Sequence, residues 1–131
     1  MNAQKFTQKS LEAIAEAQNT AIEYQNMQIE QEHLLYALLV QENGLISELL
    51  KKMEADEYSL CSKVKQAIEA IPKITGSGRE PDKIYVSQDV DKTLTEAENQ
   101  AKRMQEDFVS VEHIMLALLE NANSKLMEIF K

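Results

Sequence analysis

An all-α fold, built as two pseudo-symmetric repeats of a four-helix unit, is what this sequence predicts, and three observations predict it. Apolar residues recur at helical spacing along most of the chain. Both prolines and two of the three glycines are gathered in Pro72-Lys-Ile-Thr-Gly-Ser-Gly-Arg-Glu-Pro81, which no regular helix can run through. The chain also aligns with itself: an offset of 80 residues sets Phe6–Lys51 against Val86–Lys131 without a gap.

The first helix is expected over about 7–25, with Leu11, Ile14, Ala17, Ala21 and Tyr24 on one face and Thr7 as its N-cap. Helix two should run over about 31–42 and stop near Asn43-Gly44, a C-terminal signal. Helix three follows over about 45–54, with Ile46, Leu49, Leu50 and Met53 inward. Helix four, over about 57–71, uses Leu60, Val64, Ile68 and Ile71 and ends before Pro72. After a linker at 72–85, the second copy should repeat helices one to three over about 87–105, 111–121 and 123–131. Ser87 replaces Thr7 as N-cap, and Val90, Leu94, Ala97, Ala101 and Met104 form the inner face. The 131 residues thus read as one domain, with repeat one at 6–71 and repeat two at 86–131.

The strongest repeated block is Glu32-His-Leu-Leu-Tyr-Ala-Leu-Leu39 against Glu112-His-Ile-Met-Leu-Ala-Leu-Leu119. Because Lys131 pairs with Lys51, the counterpart of helix four would begin near position 137, past the last residue. A chain that stops inside Leu126-Met-Glu-Ile-Phe-Lys131 reads as a piece of a longer protein.

A net charge of −8 repels phosphate backbones and anionic lipid, which points away from nucleic acid and membrane surfaces and toward polypeptide partners. Met1–Ser10 has no apolar signal core, and no apolar run approaches the about 18 residues of a membrane span. The reading is a cytoplasmic domain. Cys61 is the one cysteine, expected as a small buried hydrophobe with no disulfide. Met27, Met53, Met104, Met115 and Met127 fall mostly at core spacing.

Enzymatic readings fare poorly. Glu30-x-x-His33 has the spacing of a di-iron ligand pair, but the repeat puts Ser110 where a second glutamate is needed, and the chain has two histidines. His33 and His113 are better placed as packed, hydrogen-bonded residues of helix two. Cys61 has no His and acid near it in sequence, and no G-x-S-x-G turn or G-x-x-x-x-G-K-[ST] phosphate loop occurs. No metal and no cofactor are expected in this domain.

The two Glu-His blocks, the Phe6-Thr7 start and the Ile71-Pro-Lys-Ile-Thr-Gly76 linker resemble the N-terminal domain of the Clp ATPase chaperones over nearly the whole chain. The linker and Leu39-Val-Gln-Glu-Asn-Gly44 are most similar to the ClpB, disaggregase, branch. The ClpC branch usually has Gly-Thr before each Glu-His pair, where Glu30-Gln31 and Ser110-Val111 stand here. The resemblance implies a non-catalytic domain tethered ahead of AAA+ ATPase modules. It would engage unfolded or aggregated polypeptide for a homo-hexameric parent that uses ATP, and as an isolated domain would be a monomer. A ClpC-type alternative would bind adaptors or phosphoarginine-marked proteins for a protease. A metal-dependent helical enzyme is the remote alternative.

The resemblance also implies site residues. In ClpC relatives the hydroxyl and glutamate matching Thr7/Glu32 and Ser87/Glu112 help form a pocket for phosphorylated arginine, and a carboxylate pairs well with a guanidinium. In ClpB relatives Thr7 and the positions of Glu106 and Glu112 are linked with chaperone activity. From position alone, Glu32 and Glu112 also suit the positive end of a helix dipole, and Glu106 suits a solvated acidic surface. Each hydroxyl is expected to share a site with the glutamate of its own repeat, both glutamates partly exposed. An apolar groove between the halves is a further polypeptide site in the family, but Glu96, Gln100 and His113 replace apolar residues there, so a weakly apolar groove is expected.

Overall fold

The computed structural model describes residues 3–41, 44–74 and 85–130. Most of the expected linker, with Gly76, Gly78 and Pro81, lies outside the described residues, as do Asn43 and Lys131. Among the described residues, seven α-helices follow a short 3-10 turn at Ala3–Lys5: α1 Gln8–Glu23, α2 Gln31–Val40, α3 Leu45–Lys52, α4 Glu57–Glu69, α5 Gln88–Arg103, α6 Val111–Glu120 and α7 Ser124–Ile129. The 80-residue offset survives as geometry, since α1 maps onto α5 and α2 onto α6 residue for residue.

The starts and stops of these helices repeat as well. Thr7 Oγ1 accepts from the Ser10 amide at 3.2 Å and Ser87 Oγ from the Val90 amide at 3.1 Å, each satisfying a donor the first turn leaves open. At the other end, the Asn26 amide donates to Ala21 O and the Glu106 amide to Ala101 O, both at 2.9 Å. This closure puts Gln25 and Gln105 at φ 58° and 57°, a left-handed backbone that glycine occupies without a Cβ clash. Gln25→Gly and Gln105→Gly are therefore expected to raise stability by up to about 1 kcal/mol each in urea unfolding. A loss in both would mean the glutamine side chains stabilise these turns.

Two short parallel pairings, absent from the all-helical reading, join the repeats. The strands β1 Gln28–Ile29 and β2 Tyr85–Val86 pair with Ile29 opposite Val86, and Phe6 bridges Val109 in the same sense. These are one pairing used twice with the repeats exchanged. The Ser87 amide donates to Ile29 O at 2.9 Å and the Thr7 amide to Val109 O at 3.0 Å. Two residues are too few to leave an alternating pattern, so periodicity had nothing to detect.

The core is organised on α2, where Leu34, Leu35, Ala37, Leu38 and Leu39 are all buried. Around it α1 presents a narrow face of Ser10, Ala13, Ala17, Thr20 and Ala21, small side chains that let the two helices approach closely. Leu11, Ile14 and Tyr24, expected on that face, pack at its half-buried margin instead. In α5 the expected Val90, Leu94, Ala97 and Ala101 are buried, with Thr93, but Met104 is exposed. In α4, Val64 and Ile68 are buried, while Leu60 and Cys61 are half-buried; Cys61 is thus not the buried hydrophobe expected.

Other expectations are overturned. Met27, Met53, Met104 and Met127 are exposed, and only Met115 packs against the core; Met53 and Met104 cap helix ends, where the face has turned to solvent. Leu49 joins Met53 on the open side of α3, leaving Ile46 buried and Leu50 partly so. Gly44 does not end α2, which stops at Val40; it is the N-cap of α3 at φ −76°. A Cβ there would meet Gln41 O at 2.9 Å, so close approach of backbone accounts for the glycine.

Candidate functional site

Each helix with a Glu-His block begins the same way. The Glu30 amide donates to His33 Nδ1 at 2.8 Å, and the Ser110 amide to His113 Nδ1 at 2.9 Å. A ring nitrogen that accepts carries no proton, so the proton sits on Nε2 in both. His33 Nε2 then donates to Asn26 Oδ1 at 2.7 Å, and His113 Nε2 faces Glu106 Oε2 at 3.6 Å, the repeat counterpart of Asn26. Both histidines are packed and hydrogen-bonded, as expected, and each also caps the start of its helix, which was not expected. His33 has both nitrogens engaged, and burial pushes its imidazole down to about 4. Among the described residues no group of three His, Cys, Asp or Glu side chains could hold a metal ion.

The five candidate residues do not assemble as expected. Backbone pairing runs across the repeats, so Thr7 lies beside Val109, three residues before Glu112, and Ser87 beside Ile29, three before Glu32. Each hydroxyl therefore joins the glutamate side of the other repeat. Ser87 is buried, and both hydroxyls are held as N-caps; Thr7 Oγ1 also donates to Ser10 Oγ at 2.9 Å, which donates in turn to Val109 O.

Glu32 is not partly exposed; it is 5% exposed and lines a cavity of about 300 Å³ with Glu30, Asp89, Asn123, Lys125 and the end of α4. Asp89 reaches this cavity from the first turn of α5, two residues beyond Ser87, through the crossed pairing. Glu32 Oε1 is buried without a hydrogen-bond partner. Burial raises the Glu32 carboxyl above the usual range and the neighbouring Glu30 charge raises it further, while its backbone hydrogen bond, the Asn123 side chain and the Lys125 charge pull the other way. Three carboxylates and one lysine around an orphaned oxygen make a place for a cation that can donate hydrogen bonds.

The other two acids sit elsewhere. Glu106 is half-exposed and shares a smaller cavity, about 210 Å³, with Lys5, Glu98, Lys102 and Asp107, beside the Phe6–Val109 bridge. Glu112 is exposed and stands on the wall of an apolar groove between the halves. At the face carrying Glu96, Gln100 and His113, Glu96 pairs with Arg103 and His113 is buried. An apolar groove does lie between the halves, but other residues line it: Leu49, Leu50 and Met53 of α3 with Met115, Leu116 and Leu119 of α6.

Sequence reasoning missed Asp89, Asn123 and Lys125, which reach Glu32 from the other repeat. It also missed Gln31, a fully buried amide that donates to Thr93 Oγ1 at 3.0 Å and Asn121 O at 2.8 Å and accepts from the Asn123 amide at 2.9 Å. A polar residue inside an apolar block, replaced by Val111 in the other copy, was the available signal.

Residues 5–131 match the family model of the Clp repeat N-terminal domain. Among curated relatives, the chaperone protein ClpB of Nitratidesulfovibrio vulgaris is 36% identical over 127 residues, covering 97% of this chain and 15% of that protein. ClpB of Bacillus anthracis is 35% identical over 120 residues, covering 92% and 14%. The chain thus spans about a seventh of the length of these relatives. Among solved structures, the Hsp104 N-terminal domain of Candida albicans superimposes with a TM-score of 0.83 at 25% identity, over 96% of this chain and 79% of that one. The ClpV N-domain in its complex with a VipB peptide shares the fold, with a TM-score of 0.72 at 24% identity over 97% and 78%. With its repeat geometry, its paired Glu-His helix starts and these matches together, the chain belongs to the Clp repeat N-terminal domain family.

Proposed function

We propose that this domain is a non-catalytic polypeptide-binding module of a ClpB-type chaperone, engaging unfolded or aggregated chains through cationic side chains. The observation that carries the reading is the orphaned Glu32 Oε1 in its acidic cavity, where an arginine of a client would supply the missing donor. Thr7, Ser87, Glu106 and Glu112 belong to the reading by position: Ser87 and Asp89 lie on the Glu32 side, Glu106 lies beside the Thr7 strand, and Glu112 stands on the wall of the apolar groove. A domain of this fold, the ClpV N-domain, has been solved with a VipB peptide, which supports a peptide partner.

In this reading ATP hydrolysis and hexamer assembly belong to the parent chaperone, in the cytoplasm. None of the described helices is long and apolar enough to cross a membrane. Lys125 at the edge of the Glu32 cavity favours the second reading, a ClpC-like site for phosphorylated arginine, since its ammonium would meet the phosphate.

Titration of a labelled, arginine-containing unfolded protein tests both. Glu32→Gln with Glu112→Gln should weaken binding by about 1.5–3 kcal/mol, the loss of a charged hydrogen bond. Unchanged affinity would leave these glutamates as helix-start residues only. Tighter binding of a phosphoarginine peptide than of its unmodified form would select the second reading. Stability should move the other way: a raised carboxyl pKa favours folding at low pH and costs stability as pH rises through it. Glu32→Gln should therefore be more stable than the parent at pH 7 in urea unfolding, with the gain fading in acid.

A further inference from the structure

Gln31 and Glu32 are consecutive at the start of α2, yet their side chains part: Glu32 lines the acidic cavity, while Gln31 is fully buried against repeat two. Both amide hydrogens of Gln31 are used, one on Thr93 Oγ1 in α5 and one on Asn121 O at the end of α6. Its Oε1 accepts from the Asn123 amide at the start of α7. A buried amide is costly unless such bonds are made.

Two of these bonds lead on to Asp89. Thr93 Oγ1 gives its own hydrogen to the Asp89 carbonyl at 2.8 Å, which leaves a lone pair for Gln31. Asn123, whose amide Gln31 holds, directs Nδ2 at Asp89 Oδ2 at 3.5 Å. Asp89 is the carboxylate that repeat two brings to the Glu32 cavity.

The other copy lacks the whole set. Under the 80-residue offset Gln31 becomes Val111, Thr93 becomes Ala13 and Asp89 becomes Lys9. Val111 and Ala13 are both buried, so helix packing accepts apolar side chains at these places. The polar set stands on the side where carboxylates of the two repeats share a cavity.

We infer that Gln31 is a positioning residue, which fixes Asp89 at the Glu32 cavity so that one guanidinium of a client is held by carboxylates of both repeats. A guanidinium presents a planar fork of N–H donors, able to serve the orphaned Glu32 Oε1 and Asp89 together. This role rests on the reading of the cavity as a client site, and it makes that site a property of the docked pair of repeats.

The test is titration of the labelled, arginine-containing unfolded protein with the whole chain and its variants, each checked for folding by circular dichroism. Gln31→Met keeps the length and bulk of the side chain and removes the amide; it should weaken binding about tenfold, as Asp89→Asn should. Combined, the two should again weaken it about tenfold, because they act through one carboxylate. Thr93→Val, which cuts one of the two routes, should weaken binding about threefold, and Thr93→Ser, which keeps the hydroxyl, should bind like the parent. This second pair decides the matter if Gln31→Met does not fold. Parent-like binding by Glu32→Gln would overturn the client reading and this role with it. Weak binding by Glu32→Gln beside parent-like binding by Gln31→Met would overturn the role of Gln31 alone. So would a loss of about a hundredfold in the double variant, the product of independent effects, or equal losses in Thr93→Val and Thr93→Ser.

Discussion

Truncation of Leu38 to alanine is expected to lower the stability of the domain by about 2–5 kcal/mol, and Leu118→Ala by a similar amount. Both side chains are fully buried at equivalent positions of α2 and α6, the two helices on which the repeats are built. Neighbours held by helix geometry close only partly over the void, so the penalty exceeds the transfer free energy of the lost atoms. Urea unfolding followed by circular dichroism measures both. A neutral result at either position would remove that helix from the core. Leu119→Ala, at the next residue of α6 but half-exposed, should cost well under about 1 kcal/mol, as exposed positions do.

Acid should expose the second large effect. His33 is fully buried, and burial holds its imidazole at about 4, below the ordinary value of 6.5. A group with a depressed folded pKa favours the fold above its unfolded pKa, and that contribution is lost as pH falls through the folded value. Between pH 6.5 and pH 4 the loss from this one residue amounts to about 3 kcal/mol. Glu32 works in the opposite sense, since its carboxyl is raised and acid relieves it. The His33 component is therefore read as the difference from His33→Gln, which keeps an acceptor for the Glu30 amide but does not titrate. Unfolding free energies at pH 7 and pH 4.5 should fall further in the parent than in the variant; parallel falls would show that the ring is not held neutral by burial.

The helices and their order were legible because their signals are local: spacing of apolar residues, the Thr7 and Ser87 caps, and Pro72 after α4. The repeat added what periodicity lacks, an independent second reading of each boundary. What stayed hidden depends on which repeat faces which. The pairing of Ser87 with Ile29, and of Thr7 with Val109, follows from the two halves clasping each other, and nothing in either segment names its partner. Hence the hydroxyls were matched with the glutamates of their own repeats, and Asp89 and Lys125 were overlooked beside Glu32. The contrast between Glu32 and Glu112 was hidden for the same reason: both open a Glu-His block, and Asp89, Asn123, Lys125 and the end of α4, which enclose Glu32, are remote from it in sequence.

The crossed pairing also sets a schedule for synthesis. Ser10 Oγ donates to the carbonyl of a residue 99 positions later, and Phe6, 4% exposed in the fold, has its bridge to the same Val109. A chain made from its N-terminus forms α1 early, yet the strand that completes its docking is not translated for about 5–20 s more at about 5–20 residues per second. Local helices can wait, because they form in microseconds, but the two-way clasp cannot close until α5 and the start of α6 have left the ribosome. Through that interval Phe6 and the inner face of α1 are themselves an unfolded client, open to whatever binds exposed apolar chain.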